Sequence, residues 1–473
     1  MKQEDFGTPQ RVIQHSEFSI QHSTTAVHRV LFHIPPEIGG IPIFGPVVDG
    51  SITRGPGLLL VAWVLFSVGL MVWVVWRQGF IADTWSYLPL LLLVGAIIWG
   101  LLPAVCDQQG FPIRGFGAMN LLAVVSGTGL FFWRARRVGF NPDAAFSLAF
   151  WMLLPGILGA RAFYVIEYWS DQYWPVYQQH GLRALLVAVV NVTEGGLVAY
   201  AAFLSGMLGM VLFVRKYRQP LLALADLVAP PIILGLALGR IGCLLNGCCF
   251  GGTSELPWAI TFPRGDRPYS PAYVAQVERG QMYGFELSGD PDVAPVLKSV
   301  DPRSTAWQKG LRQGDWLQSI GGREVSTAGD AQQILWELLN DRSPVMLQVE
   351  GRKPVTLPAV PIPPRSLPVH PTQIYSSINA FLLLLLLLAY EPFHRRDGEL
   401  FALMISVYPV CRFLLEIIRT DESPVFGTGL TISQNISLLM LVCAAGLWFH
   451  ILRRPPAGNA EGRIQNAEFG DQH

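Results

Sequence analysis

Charge is scarce in this sequence. Only 14% of its 473 residues are charged, and 34 basic side chains are matched by 34 acidic ones. A chain with no basic excess has no field for drawing in nucleic acid, so that class of partner is excluded. Cysteine is sparse too: the six are Cys106, Cys243, Cys248, Cys249, Cys411 and Cys443. None shows C-x-x-C spacing, so neither a disulfide framework nor a zinc site is indicated. Also missing is a charged-then-apolar leader; residues 1–30 read as a polar, mobile tail rather than a cleaved signal peptide. What is abundant is apolar surface: 51% of the residues are hydrophobic and the mean hydropathy is +0.37, outside the range of ordinary soluble proteins.

Apolar runs of the length that crosses a bilayer, about 20 residues, lie at 57–76, 85–105, 115–133, 144–168, 195–214, 221–246, 374–391, 399–418 and 430–452. They predict nine transmembrane helices, the first two forming an additional hairpin and the other seven a common core. Residues 169–194 read as a polar, aromatic loop with room for a short interfacial helix. Basic residues follow alternate spans: Arg77, then Arg134, Arg136 and Arg137, then Arg215, Lys216 and Arg218, then Arg395 and Arg396, then Arg453 and Arg454. The positive-inside rule makes those exits cytoplasmic, so the N-terminus lies outside and the C-terminus inside. The fold class is an all-α polytopic membrane protein with one small α+β insert.

That insert has soluble character. It occupies about 263–365, between the sixth and seventh spans, and the orientation makes it extracytoplasmic. Strand and turn signals alternate from Val296 to Gly322, a helix is expected at 328–339 and a strand at 345–350. The run Ala306, Gly310-Leu311, Gly314-Asp315, Ile320-Gly321-Gly322 resembles a PDZ domain, about 280–360, whose carboxylate-binding loop would fall at Tyr283-Gly284-Phe285-Glu286-Leu287. Such domains capture a terminal or extended peptide by strand addition; the plainer alternative is a rigid spacer. The chain then divides into a tail at 1–56, a hairpin at 57–105, core segments at 106–262 and 366–452 flanking the insert, and a cytoplasmic tail at 453–473.

The densest chemistry is at the end of the sixth span, Gly239-Arg240-Ile241-Gly242-Cys243-Leu244-Leu245-Asn246-Gly247-Cys248-Cys249-Phe250-Gly251. An arginine in a membrane-spanning segment is costly unless it faces a polar cavity or an anion. Its guanidinium and nearby backbone N–H groups suit a phosphate; a snorkelling arginine over a small-residue seam is the alternative. The adjacent cysteines read first as small apolar packing residues, with thiol chemistry as another possibility. The topology brings four further stretches to the same membrane face: Pro112-Ile113-Arg114-Gly115, Glu194-Gly195-Gly196-Leu197, His370-Pro371-Thr372-Gln373-Ile374-Tyr375 and Tyr408 through Arg419. In the last, Tyr408, Arg412, Glu416 and Arg419 share one helical stripe, which must face protein or water. A purely structural Arg412–Glu416 pair would satisfy that pattern as well.

Together these stretches resemble the prolipoprotein diacylglyceryl transferases over about 105–262 and 365–452. The family's G-R-x-G-N-F-x-N-G-E-x-x-G motif is matched by Gly239, Arg240, Gly242, Asn246, Gly247 and Gly251. H-P-S-Q-x-Y-E is matched by His370, Pro371, Gln373 and Tyr375, and Y-x-x-x-R-F-x-x-E by Tyr408, Arg412, Phe413 and Glu416. The resemblance implies a bacterial inner-membrane enzyme that moves diacylglyceryl from phosphatidylglycerol to the lipobox cysteine of an exported prolipoprotein, with no metal or soluble cofactor required. It implies catalytic roles for Arg240, Arg412, Glu194 and Tyr408. Substrate contacts would come from Arg240, Asn246, Gly251, Arg114, His370, Gln373, Tyr375 and Glu416. The departures are specific: Glu194 stands where the family has histidine, Cys243 and Cys248 replace an asparagine and a glutamate, and Phe116 replaces a tyrosine. They support phosphate binding better than thiol activation, so a non-catalytic phospholipid-binding scaffold presenting a PDZ domain is the other reading.

Overall fold

The computed structural model describes residues 30–48, 51–79, 88–107, 109–191, 196, 198–265, 269–288, 292–419, 424–425 and 428–455. Of the predicted tail at 1–56, residues 1–29 and 49–50 lie outside them, as does Glu194, and the tail's described part forms short strands. Strand β1 (Val30–Ile34) leads through short hairpins to helix α1 (Leu58–Gln78) and then to α2 (Leu88–Ala96). The latter continues as a π-helical turn, Ile97–Leu101, and a last helical turn, Leu102–Val105. Strand β2 (Phe111–Arg114) pairs antiparallel with β1 and runs straight into α3 (Gly115–Arg137). The first half of the bundle is completed by α4 (Pro142–Glu167), α5 (Trp174–Val190), α6 (Ala199–Tyr217) and α7 (Leu221–Asn246).

Seven described helices are long and apolar enough to cross a membrane, not the nine expected. The second predicted span is broken: Pro89 and Pro103 sit within it, and its apolar helical stretch, Leu91–Val105, is short. The fifth begins only at Ala199 and reaches Arg215 and Lys216 in its last turn, which leaves a short apolar length. The outer surface is consistent with lipid as the solvent. Leu65, Trp76, Phe146, Phe150, Leu385 and Val442 are all exposed, far more apolar area than a water-soluble monomer shows. The chain is a multi-pass membrane protein.

Helix α7 is the central post, buried over most of its length. Two consecutive prolines inside it, Pro230 and Pro231, lack the N–H groups that would bond Asp226 O and Leu227 O. Arg134 of α3 supplies the missing donors, its Nη1 bonding both carbonyls, while Nη2 lies 2.6 Å from Glu391. The Asp226 carboxylate accepts from Gly398 N at 2.6 Å and Phe401 N at 2.8 Å, satisfying the start of the helix at 399–418. A related device joins α4 to α6. Pro155 frees the carbonyl of Trp151, and Gly209 approaches it so closely that a Cβ there would lie 1.8 Å from that oxygen.

The insert is zipped shut at its base by bridges Thr253–Val369, Ile260–Val369 and Pro263–Arg365. Helix α8 (Pro271–Glu278) lies near this base. Beyond it β3 (Phe285–Leu287) pairs with β4 (Leu297–Val300), both antiparallel. A four-stranded sheet combines β5 (Leu317–Ile320), β6 (Arg323–Glu324), β7 (Val345–Val349) and β8 (Val355–Leu357) in the order β6-β5-β7-β8. Helix α9 (Ala328–Asn340) starts with a capping box between Thr327 and Asp330 and buries Ala331, Ile334, Leu335 and Leu339 against the sheet. The helix and the strand expected at 328–339 and 345–350 are present within a residue. The second half of the bundle follows: α10 (Thr372–Tyr390), α11 (Glu399–Ile418) and α12 (Ile432–Leu452).

Candidate active site

Helix α7 ends where its sequence turns to glycine. Gly247 adopts φ 77°, a left-handed conformation suited to a residue without Cβ, and its N–H returns to Cys243 O at 3.0 Å. The chain then folds back over the helix end and meets two other segments through its backbone. Gly251 N donates to His370 O, His370 N to Gly252 O and Gly252 N to Ile418 O, each at 3.0 Å, while Gly251 also bridges Arg419. Side chains reinforce the junction: Thr372 Oγ1 donates to Cys249 O at 2.6 Å and Gln373 Nε2 to Cys248 O at 2.7 Å. Gly251 must be small, because a Cβ there would lie 2.7 Å from that of His370. Three stretches, the first more than a hundred residues of chain from the other two, therefore meet at one end of the bundle. The cluster of Arg134, Asp226, Glu391 and Gly398 lies at the other.

A chain of charges runs through this junction. Arg412 Nη1 is 2.8 Å from Glu416, and Arg419 Nη1 is 3.2 Å from the same carboxylate oxygen. Arg412 also donates to Tyr200 OH at 3.3 Å and Ser433 Oγ at 2.9 Å, and Tyr200 OH donates to Ser433 at 3.0 Å. Glu416 and the Arg412 side chain are buried, so this pair is hydrogen-bonded on several sides, as a buried ion pair requires. Arg240 differs. It is half-buried, its electrostatic neighbours are Tyr408, Cys249, Cys243 and Arg419, and among the described residues no carboxylate or hydrogen-bond acceptor pairs with it. Among the described residues, two cations thus share one carboxylate beside a third that has none, a net positive balance. An anion fits that balance.

The other expected residues fall around this core to different degrees. Tyr408 lies beside Arg240, and Asn246 is the half-buried last residue of α7. His370 is half-buried and Gln373 fully buried at the start of α10. Tyr375 accepts a hydrogen bond from Trp258 Nε1 at 2.7 Å, facing the insert's base rather than the arginines. Arg114 is exposed at the start of α3, whose first residue, Gly115, packs on Leu245. Glu194 is outside the described residues.

Sequence reading left four contributors unassigned. Arg419 follows Glu416 by three positions on the stripe already noted, so helical spacing could have found it. Tyr200 and Ser433 come from different helices and carry no linear signal. Arg161 has one, since it interrupts the apolar run of α4. It donates to the carbonyls of Ala188, Val189, Asn191 and Gly196, holding both flanks of the segment that contains Glu194.

The chain matches the prolipoprotein diacylglyceryl transferase family over residues 103–450. A phosphatidylglycerol–prolipoprotein diacylglyceryl transferase of Rhodopirellula baltica is 31% identical over 460 residues, which cover 88% of this chain and 88% of that protein. Proteins of the same name from a Nostoc species and from Clostridium tetani are 34% and 23% identical over 212 and 342 residues. These cover 45% and 72% of this chain, and 71% and 94% of the relatives.

Proposed function

Since this chain belongs to the prolipoprotein diacylglyceryl transferase family, we propose that Arg240 anchors the phosphate of phosphatidylglycerol while the enzyme passes its diacylglyceryl group to the lipobox cysteine of an exported prolipoprotein. The protein is a diacylglyceryl transferase of the inner membrane. The observation that carries the assignment of Arg240 is that, among the described residues, no counter-ion pairs with it, although Arg419 beside it and Arg412 share Glu416. A phosphodiester supplies that charge, and a guanidinium can grip it in a forked geometry.

In the reaction a new C–S bond forms at the glyceryl carbon, the C–O bond to phosphate breaks, and glycerol phosphate departs with the negative charge. Arg240 neutralises charge growing on the departing oxygen, with Arg419 adding field from the side. Arg412 is held by Glu416, Tyr200 and Ser433 and acts as a fixed positive wall. Tyr408 orients the head group through its hydroxyl. Asn246, Gly251, Arg114, His370, Gln373 and Tyr375 are the proposed surrounding contacts; Gln373 acts by bracing the Cys248 carbonyl. The thiol must lose its proton to become the nucleophile, and Glu194 is the candidate base, on a segment whose flanks Arg161 holds.

Orientation and recruitment complete the proposal. The basic ends of α3, α6 and α12 mark the cytoplasmic side, so the N-terminus, active site and insert face outward. The insert is read as a PDZ-like domain that brings exported polypeptides to the site through an extended segment. The test of the phosphate anchor is transfer from labelled phosphatidylglycerol to a lipobox peptide by purified protein. Arg240→Ala is expected to lose about 100-fold or more of the rate, and Arg240→Lys to remain well below wild type. Wild-type rates from both variants would remove Arg240 from the mechanism.

A further inference from the structure

Three thiols in this pocket have no part in the reaction above. Linear spacing hides them: Cys243 is in the last turn of α7, while Cys248 and Cys249 follow the left-handed turn at Gly247. That turn folds the chain back, so Cys248 N donates to Cys243 O at 3.2 Å and Cys248 Sγ lies 3.7 Å from the same oxygen. The Sγ atoms of Cys243, Cys248 and Cys249 come within 4.8 Å of one another, all half-buried.

Their placement is rigid and partly strained. Cys249 has φ 58°, a left-handed conformation that a non-glycine residue keeps only where surroundings enforce it. Here they do, because Thr372 and Gln373 tie down the carbonyls of Cys249 and Cys248. Simple apolar packing needs neither the strain nor the convergence. A cation held by three thiolates at about 2.3 Å would separate the sulfurs by about 4 Å, a distance this cluster accommodates. No fourth His, Cys, Asp or Glu ligand joins it among the described residues, which disfavours the closed tetrahedron of structural zinc. Soft thiolates alone select a soft cation.

We infer that Cys243, Cys248 and Cys249 form a three-thiolate site for a soft d10 monovalent cation of the Cu(I) class. Loading needs no redox change: one Cu(I) enters, three S–H bonds give up protons to solvent, and three metal–sulfur bonds form. The loaded site carries two negative charges, and Arg240 and Arg419 are the cations beside Cys249 that balance them. It follows, on the reading of Arg240 as phosphate anchor, that metal and phospholipid compete for the same guanidinium.

The test uses the full chain in detergent, reduced and kept free of oxygen, with Cu(I) partitioned against a chromophoric chelator. One Cu(I) per chain is expected, with three sulfur neighbours by X-ray absorption. Affinity should fall at least tenfold in Cys248→Ser and, independently, in Cys243→Ala, and should be unchanged in Cys106→Ser. The X-ray absorption count needs only wild-type protein, so a poorly folding variant does not blunt the test. Unaltered affinity in the first two variants, tighter retention of Zn(II) than of Cu(I), or thiol titration showing a disulfide among the three would overturn the assignment. A second arm measures transfer relative to each protein's own metal-free rate: Cu(I) should slow the wild type and spare Cys248→Ser. If the chain transfers nothing under any condition, the binding results still decide the metal site and only the phosphate reading falls.

Discussion

At the scale of residues, the site turns on two guanidinium groups that share one carboxylate, with a third, Arg240, beside them. Arg412 and Arg419 both lean on Glu416, which is buried and so depends on them for the solvation that water would otherwise provide. Removing that charge while keeping the shape, as in Glu416→Gln, leaves two arginines crowded together. Stability should fall by about 3 kcal/mol or more, read as a lower thermal unfolding midpoint in detergent, with transfer reduced because Arg412 loses its fixed position. An unchanged midpoint would mean that the pair is not mutually supporting. Arg412, Tyr408 and Glu416 stood out in the sequence because a charged stripe in an apolar helix cannot face lipid, and Arg240 because a lone arginine in a membrane-spanning run is costly there. The roles of Tyr200 and Ser433 were not, since two lone hydroxyls on separate helices produce no pattern until tertiary structure brings them to Arg412.

At the scale of elements, the most informative feature is a helix that breaks its own rule. Prolines in α7 orphan two carbonyls in the bundle, and Arg134 from α3 replaces both lost donors while pairing with Glu391. Arg134→Ala leaves two carbonyls and a carboxylate without their cation, and it should destabilise the protein by about 3 kcal/mol or more. The distance of Arg134 from the opposite-end site makes the assay selective: the thermal midpoint should drop while phosphatidylglycerol affinity of the folded fraction stays near wild type. At the other end, Gly251→Val should do the reverse. Its side chain would collide with His370 and Thr372 in the buried turn that follows α7, cutting transfer severely with a smaller change in midpoint. The apolar runs announced most helices because a 20-residue hydrophobic stretch has few alternatives. In the second and fifth predicted spans the described helical stretches are shorter than hydropathy alone suggests, since it does not register Pro89, Pro103 or the start of α6 at Ala199.

At the scale of the whole molecule, the bundle has two differently built ends. One is locked by Arg134, Asp226 and the start of α11; the other carries the arginines, the thiols and the zipped base of the insert. The strands at the insert's base are bridged as far as Val369, the neighbour of His370, which puts that base at the end of the bundle that carries Arg412 and Arg419. Deleting residues 280–360 and closing the gap with a flexible linker should leave transfer to a short lipobox peptide intact but narrow the set of prolipoproteins lipidated in cells. An unchanged lipoprotein profile would deprive the insert of a recruiting role. Its helix and strands were legible because period-two and capping signals are local, whereas its attachment to the active-site loop depends on bridges between residues a hundred positions apart. The account as a whole is tested most directly in cells depleted of their own diacylglyceryl transferase and supplied with this chain. It predicts that the wild type restores lipoprotein modification, and that Arg240→Ala, present in the membrane at equal level, does not. Restoration by both proteins, or by neither, would contradict it.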